Sequence, residues 1–325
     1  MRERIFKILH DNLGEYVSGQ KISSQLGITR SAVYKHIKAL KAQGHKIISK
    51  SRKGHMLLDS PDILSDFQLK CRLDTIFIGN SIFVYDSIHS TNRLAKELAE
   101  EGSVEGTVVI ADSQTDGKGR MGRHWISPPA GGLWMSIILR PDIKPNNVAC
   151  LTLVIGLAIC KALRKLTHLD IGLKWPNDLV INGRKVCGIL MELSAEVDRV
   201  NYIIAGIGLN VNFKSRHFPG ELRSTATSLY IESGQRYGRK EVALQMLYSI
   251  EQHYIGFLQT KSLGKMKEEY KKLSIVLGKD VVITTPEKNL YGRVVDFYDD
   301  GSILLVDDGN EQHKILTGDV SLRLY

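Results

Sequence analysis

The sequence predicts a multidomain α+β protein: an N-terminal winged helix-turn-helix, a central α+β domain with a largely antiparallel sheet, and a small C-terminal β-barrel of SH3-like type. Three observations predict it. The net charge of +9 is unevenly spread: residues 1–60 carry 12 Lys and Arg against 4 Asp and Glu, and the other 265 residues carry 32 against 31. Through the middle of the chain, helical periodicity alternates with apolar β-branched runs, several of them joined by hairpin turns. From Leu277 onward only short alternating strands remain. The boundaries implied are 1–62, 63–275 and 276–325.

The 325 residues allow several cores, and 43% hydrophobic with 24% charged content is ordinary for a soluble protein. No apolar run is read as membrane-spanning, and the charged, amphipathic start MRERIFKILHDNLGEY is unlike a signal peptide, so a cytoplasmic location without a membrane partner is expected. Cys71, Cys150, Cys160 and Cys187 lack C-x-x-C spacing and sit among apolar residues, the pattern of reduced core thiols rather than disulfides or metal ligands.

In the first domain, Ile5, Ile8 and Leu9 stand at helical spacing and Gly14 ends the pattern. Ser18 opens a short helix through Leu26, Gly27 makes a turn, and Thr29 caps a second helix that buries Ala32, Val33, Ile37 and Leu40. That helix turns Arg30, Ser31, Tyr34, Lys35 and Lys38 outward, a basic, hydrogen-bonding face suited to base edges and phosphates. A hairpin with Arg52 and Lys53 at its tip completes a winged helix, and Ser18, Thr29 and these outward residues form the expected DNA-binding set. A small interaction module with a solvated cationic face would share some of these features, but not the concentration of charge on the second helix and the wing. His36, His45 and His55 have no metal-ligand spacing.

Asp59-Ser60-Pro61-Asp62 reads as a linker, with Pro61 placed to start a short helix through about Cys71. The central domain continues with a strand at Ile82–Tyr85 and a helix capped by Ser90-Thr91-Asn92. After a strand at Thr107–Ile110 comes QTDGKGRMGRHW (114–125), then a strand at Leu133–Leu139 and a buried helix from Asn147 to about Arg164. Asn182-Gly183 is a strong two-residue hairpin turn, and Gly206 and Gly208 lie inside the strand Tyr202–Val211, where glycine marks close approach of a ligand or backbone. Helices near 240–260 and 264–273 close the domain. Four short strands, Asp280–Thr284, Tyr291–Tyr298, Ser302–Asp307 and Gln312–Leu316, make the C-terminal barrel.

The 114–125 segment is read as a long, mobile, cationic loop whose glycines let backbone N–H groups converge on an anion, with Lys118, Arg120 and Arg123 adding charge. Gly117, Gly119 and Gly122 also fit G-x-G-x-x-G, but Trp125 and Pro128-Pro129 follow where a dinucleotide site needs a helix. A Walker A loop is excluded because Arg123-His124 replace Lys and Ser or Thr. A solvated surface loop would carry the same residues.

GKGRMGRHW (117–125), KWPNDL (174–179), GRKVCGIL (183–190), GIGLNVN (206–212) and STN (90–92) stand in an order and spacing similar to those of the bifunctional biotin protein ligase and biotin operon repressor family. The resemblance covers the whole chain and departs at Lys118, where the family usually has Arg; Lys keeps the charge and loses the planar fork. It implies ATP-dependent, AMP-forming activation of biotin to biotinyl-5′-adenylate, with Mg²⁺, and transfer to a lysine of a biotin carboxyl carrier domain of acetyl-CoA carboxylase or a related carboxylase. It also implies a ligand-linked homodimer that represses the biotin operon by binding operator DNA.

Carried over residue by residue, the resemblance implies catalytic roles for Lys185 and Arg120. It implies biotin binding by Ser90, Thr91, Asn92, Gln114, Gly117, Lys118, Gly119, Arg120, Trp125 and Lys185. Adenylate contacts are implied for Arg120, Arg123, Asn177, Asp178 and Asn210, with Asp178 a candidate Mg²⁺ ligand. Taken alone, 175–178 would be only a tight turn, Lys185 a hairpin lysine and Ser90-Thr91 a helix cap. Two other functions fit parts of the pattern: a biotin-sensing transcription factor that no longer catalyses, and a lipoate-type ligase.

Overall fold

In the N-terminal unit, three helices bury one apolar stripe each and a two-stranded wing closes over them. The computed structural model describes residues 1–42, 44–59, 62, 64–285 and 288–322. It forms two compact units, Met1–Cys71 and Arg72–Tyr325. Helices α1 (Arg2–His10), α2 (Gly19–Leu26) and α3 (Arg30–Ala42) contribute Ile5, Leu9, Ile22, Val33 and Ile37 to one core. The Ser18 hydroxyl accepts the Lys21 amide at 3.0 Å and the Thr29 hydroxyl accepts the Ala32 amide at 3.2 Å, so both helices are capped at their N-termini. Gly27, at φ 64°, makes the turn between them in the left-handed region that glycine tolerates.

The wing is an antiparallel pair, β1 (Lys46–Lys50) and β2 (Gly54–Asp59), with Lys50 opposite Gly54. Ser60 and Pro61, expected as linker and helix start, lie outside the described residues. The following helix, α4 (Asp66–Lys70), starts after Ser65 and sits with the first unit, because Phe67 packs on its core in an edge contact with Phe6 at 6.3 Å. The unit therefore runs to Cys71, past the boundary expected at 62.

The second unit holds a seven-stranded sheet built from β3 (Ile82–Ile88), β4 (Val108–Gln114), β5 (Gly132–Leu139), β6 (Gly172–Lys174), β7 (Asp178–Ile181), β8 (Arg184–Ala195) and β9 (Val200–Asn210). Its order is β3-β4-β5-β9-β8-β7-β6, and every pair except β3–β4 is antiparallel. The β7–β8 turn has Asn182 at φ 51° and Gly183 at φ 75°, the two positive values that an Asn-Gly hairpin supplies. Helix α5 (Thr91–Glu100) packs Ala95 and Ala99 against Val109, Ile138 and Ile204 of the sheet.

Contrary to the expectation from sequence, one segment, 145–167, does meet the length and hydropathy of a membrane span, with a mean hydropathy of 1.7. It contains α6 (Val148–Thr167), most of whose residues are buried, with β8 and α8 (Arg239–Thr260) packed against it. A helix apolar all round is a core helix when protein covers every side. Of two short helices, α7 (Leu229–Ser233), not expected from the sequence, is capped by the Ser228 hydroxyl, and α9 (Met266–Leu273), which has no side-chain cap bond, seats Tyr270 on Phe297.

The C-terminal strands β10 (Asp280–Thr284), β11 (Asn289–Phe297), β12 (Ile303–Asp307) and β13 (Gln312–Ile315) form the expected meander. A fifth strand, β14 (Asp319–Leu322), returns beside β10, giving the order β13-β12-β11-β10-β14. One face buries Val281, Ile283, Val294, Leu305 and Val320. The strand ladder does not close between β13 and β14 among the described residues.

Candidate active site

A cavity of about 570 Å³ lies in the second unit, where β8 and β9 run under the 114–125 segment. Ser90, Thr91 and Asn92 enter it from the start of α5, and Gln114 from the end of β4. Lys118, Gly119, Arg120, Arg123 and Trp125 cover it, and Asn177, Asp178, Lys185 and Asn210 complete the wall. Gly117 is the one expected residue outside this lining. It is buried below it, where a Cβ would stand 2.4 Å from the Trp125 carbonyl oxygen, so its role is to let the chain pass.

At one end the polar groups are neutral and mutually fixed. The Gln114 side-chain carbonyl accepts from the Thr91 amide at 2.8 Å and the Thr91 hydroxyl at 3.0 Å, and its amide donates to the Ser127 hydroxyl at 2.9 Å. Ser127 in turn donates to the Trp125 carbonyl at 3.0 Å. Ser136 lies within 2.8 Å of the Thr91 hydroxyl and 2.6 Å of the Asn92 side-chain oxygen, and Asn92 donates to Glu192 at 2.5 Å. Ser90 holds the N-cap position of α5 but makes no side-chain cap bond, so capping does not explain its side chain. Ser127 and Ser136, which orient Gln114, Thr91 and Asn92, had no signal in the sequence.

The opposite end is charged. Lys185 pairs with Asp178 at 2.5 Å and stands 5.1 Å from the centre of the Trp125 ring, a cation–π contact. Arg120 donates to the Asn177 side-chain oxygen at 3.1 Å, and Asn177 donates to the Ile189 carbonyl at 2.8 Å, holding the 175–178 turn against β8. Asp319 of β14 pairs with Arg123 at 2.6 Å and Arg120 at 3.4 Å. Sequence reasoning missed Asp319 entirely. Asn210 spends its amide on the Thr227 carbonyl at 3.0 Å, and Lys118 sits outward beside Asp116 at 3.8 Å.

The covering segment is not the open loop expected. Gly119 N–H donates to the Arg123 carbonyl at 2.7 Å and Trp125 N–H to the Gly117 carbonyl at 2.8 Å, making a small hairpin with a tight turn at Arg120–Gly122. The Gly119 and Trp125 amides are therefore used within the segment and are not offered to an anion, and Lys118, Arg120 and Arg123 supply its side-chain charge. The Trp125 indole lies on the glycine strands: a Cβ on Gly208 would come within 2.6 Å of the ring, and one on Gly188 within 3.0 Å. Its N–H is buried without an acceptor among the described residues. Leaving such a donor unmet costs about 1–3 kcal/mol, which an acceptor on a ligand would offset.

In the first unit, Arg30, Ser31, Lys35, Lys38, Arg52 and Lys53 are exposed, and Tyr34 is 64% exposed. They lie on α3 and at the wing tip, as a helix and wing reading DNA require. Ser18 and Thr29 are engaged as helix caps. Lys50 and Lys53 lie 5.7 and 5.9 Å from the centre of the Tyr16 ring, which gathers wing cations on one side.

A winged helix with a basic face, joined in one chain to a cavity with a neutral hydrogen-bonding end and a cationic end, defines a DNA-binding protein that also handles an anionic ligand. Three family models match: an HTH domain over residues 2–56, the biotin/lipoate A/B protein ligase family over 84–210, and the biotin protein ligase C-terminal domain over 276–323. The chain is 37% identical to the bifunctional ligase/repressor BirA of Bacillus spizizenii, over 99% of this chain and 98% of that protein. It is 30% identical to the protein of the same name from Escherichia coli, over 95% and 94% of the two chains. The structure of the biotin protein ligase from Aquifex aeolicus in complex with biotin and ATP is 34% identical and superposes with a TM-score of 0.65, covering 75% of this chain and 99% of that one. The chain belongs to the bifunctional ligase/repressor family of biotin protein ligases.

Proposed function

We propose that the protein activates biotin with ATP and passes it to a lysine of a biotin carboxyl carrier domain. A carboxylate oxygen of biotin attacks the α-phosphorus of ATP and pyrophosphate leaves; the lysine amine then attacks the acyl carbon, forming an amide and releasing AMP and a proton. The observation that carries this reading is the meeting in one cavity of Thr91 and Gln114, fixed to each other and through Gln114 to the buried Ser127, with Lys185, Arg120 and Arg123. The neutral end suits the ureido edge of biotin. The cationic end answers the repulsion between a carboxylate and a triphosphate, which is where electrostatic stabilisation contributes most to such a reaction.

In this reading Lys185 and Arg120 hold the carboxylate and the phosphate that joins it, and Arg123 adds charge beside them. Asn177 lies beside the nucleotide, and Asp178 would supply a carboxylate oxygen to hold a Mg²⁺ ion, whose charge would offset that of the triphosphate. Trp125 and the hairpin shield the acyl-adenylate, whose hydrolysis competes with transfer.

The winged helix makes the same protein a repressor of the biotin operon in the cytoplasm. We assign three working modules: the first unit, through Cys71, for DNA, residues 72–275 for chemistry, and 276–325 for completing the cavity through Asp319. Bound adenylate orders the covering segments, favours a homodimer, and presents two α3 helices to a palindromic operator. Biotin-dependent exchange between labelled pyrophosphate and ATP tests the chemistry, with lipoate as competitor. Exchange driven by biotin is expected; no exchange leaves a non-catalytic sensor, and exchange driven by lipoate alone makes a lipoate ligase. Gel shift with and without biotin and ATP tests repression, and equal operator affinity in both conditions removes the coupling.

A further inference from the structure

We propose that Arg239 is a positioning residue for the segment that covers the cavity: through Asp112 it fixes both ends from which that segment springs. The proposal rests on the biotin-activation reading above. Arg239 is the first residue of α8, and the preceding Gly238 offers no side-chain cap. A cation there opposes the helix dipole. Only 4% of Arg239 is exposed, so burial adds a desolvation cost. Neither helix formation nor solubility explains an arginine at this position.

Its partners do. The guanidinium donates to the Asp112 carboxylate at 2.5 Å and to the Gly132 carbonyl at 3.3 Å. Asp112 lies on β4 just before Gln114, where the covering segment departs. The same carboxylate oxygen accepts the Ala130 amide at 3.2 Å, where the segment returns, and the Asp112 carbonyl accepts the Trp134 indole N–H at 3.2 Å. One ion pair therefore spans departure and return. Beside it, the Gly131 carbonyl accepts the amides of Val211 at 3.1 Å and Asn212 at 2.6 Å. The Asn212 side chain exchanges hydrogen bonds with the backbone of Tyr237, at 3.0 and 2.8 Å, just ahead of α8. With both roots fixed, fewer conformations of the hairpin compete with the one that covers a ligand, so less binding free energy is lost in closing it.

The experiment compares Arg239→Met, Asp112→Asn and, as a control, Arg140→Lys in the full-length protein. Arg140 binds the Ala99 and Ser103 carbonyls at 2.7 and 3.0 Å, a comparable network away from the cavity. Adenylate is formed from biotin and ATP, its release is followed by rapid filtration, and trypsin cleavage after Lys118, Arg120 and Arg123 is mapped with ligand bound. Arg239→Met and Asp112→Asn are expected to form adenylate, release it at least about tenfold faster than wild type, as loss of a charge-assisted bond allows, and expose the segment to trypsin. Arg140→Lys is expected to match wild type. If Arg239→Met fails to fold, Asp112→Asn decides, since it keeps an oxygen for the Ala130 amide. Release indistinguishable from wild type, or equally fast in Arg140→Lys, overturns the role of Arg239. Failure of the wild type to form adenylate overturns the biotin-activation reading instead.

Discussion

The Trp125 indole rests on the backbone of Gly208, so close that a methyl group on that glycine would come within 2.6 Å of the ring. Glycine is required there because Trp125 is the lid of the cavity and β9 its floor. Gly208→Ala pushes the ring outward. The expected result is a KM for biotin raised about tenfold or more, the scale on which misplaced positioning groups act, with a smaller change in kcat. Steady-state pyrophosphate exchange at varied biotin gives both constants.

Lys185 stands between Asp178 and Trp125. Removing its ammonium takes away charge that develops its full value only as the carboxylate and α-phosphate join. Lys185→Ala should lower kcat for exchange roughly 100-fold or more, the range seen when one electrostatic donor is lost. Exchange at the wild-type rate in that variant removes Lys185 from the chemistry.

Arg120 links the covering hairpin to Asn177. Arg120→Gly leaves the fold of the second unit intact, because the side chain contributes no core packing, but frees the adenylate. Rapid filtration should show release about tenfold faster, as for loss of a charge-assisted bond.

Burial pushes the Cys150 and Cys160 thiols up to about 12 and raises Cys187 as well. The reactive thiolate is then scarce at pH 8. Cys71 is also raised, mainly by burial, but is partly exposed. Alkylation of the native protein at pH 8 should mark Cys71 alone, and denaturant should expose all four to reagent. Mass spectrometry of the labelled peptides distinguishes the two patterns.

Glu251 has no exposed surface and accepts the amides of Ile76, Phe77 and Ile78 at 2.6, 2.8 and 2.8 Å. Glu251→Ala leaves those donors without their acceptor, and stability should fall by roughly 3 kcal/mol. Calorimetry on the full chain should show a lower Tm for the transition of the second unit, with that of the winged helix unmoved.

The winged helix was legible because its information is local: Ser18 and Thr29 cap, Gly27 turns, and the apolar residues keep helical spacing. The Asn182-Gly183 turn was legible for the same reason. Strand β14 was not, since four residues containing Asp319 and Ser321 carry too little periodicity to stand out. Side chains that line the cavity themselves, such as Gln114 and Lys185, could be chosen from the resemblance of their motifs. Ser127, Ser136, Asp319 and Arg239 could not, because each matters only through a partner that folding brings to it. The glycine-rich segment was only partly legible for a related reason: its spacing suggests convergent amides, but the Gly119 amide is taken by the Arg123 carbonyl in a cross-hairpin register with no signature in the sequence.

The most direct test of the proposed chemistry is transfer of labelled biotin to a purified carrier domain, with ATP and Mg²⁺ present and then withheld. Activation followed by transfer predicts label on the carrier lysine only when ATP is supplied, none on a carrier whose lysine is replaced by arginine, and strong loss with Lys185→Ala. A carrier that stays unlabelled with the intact protein and all substrates present would contradict it.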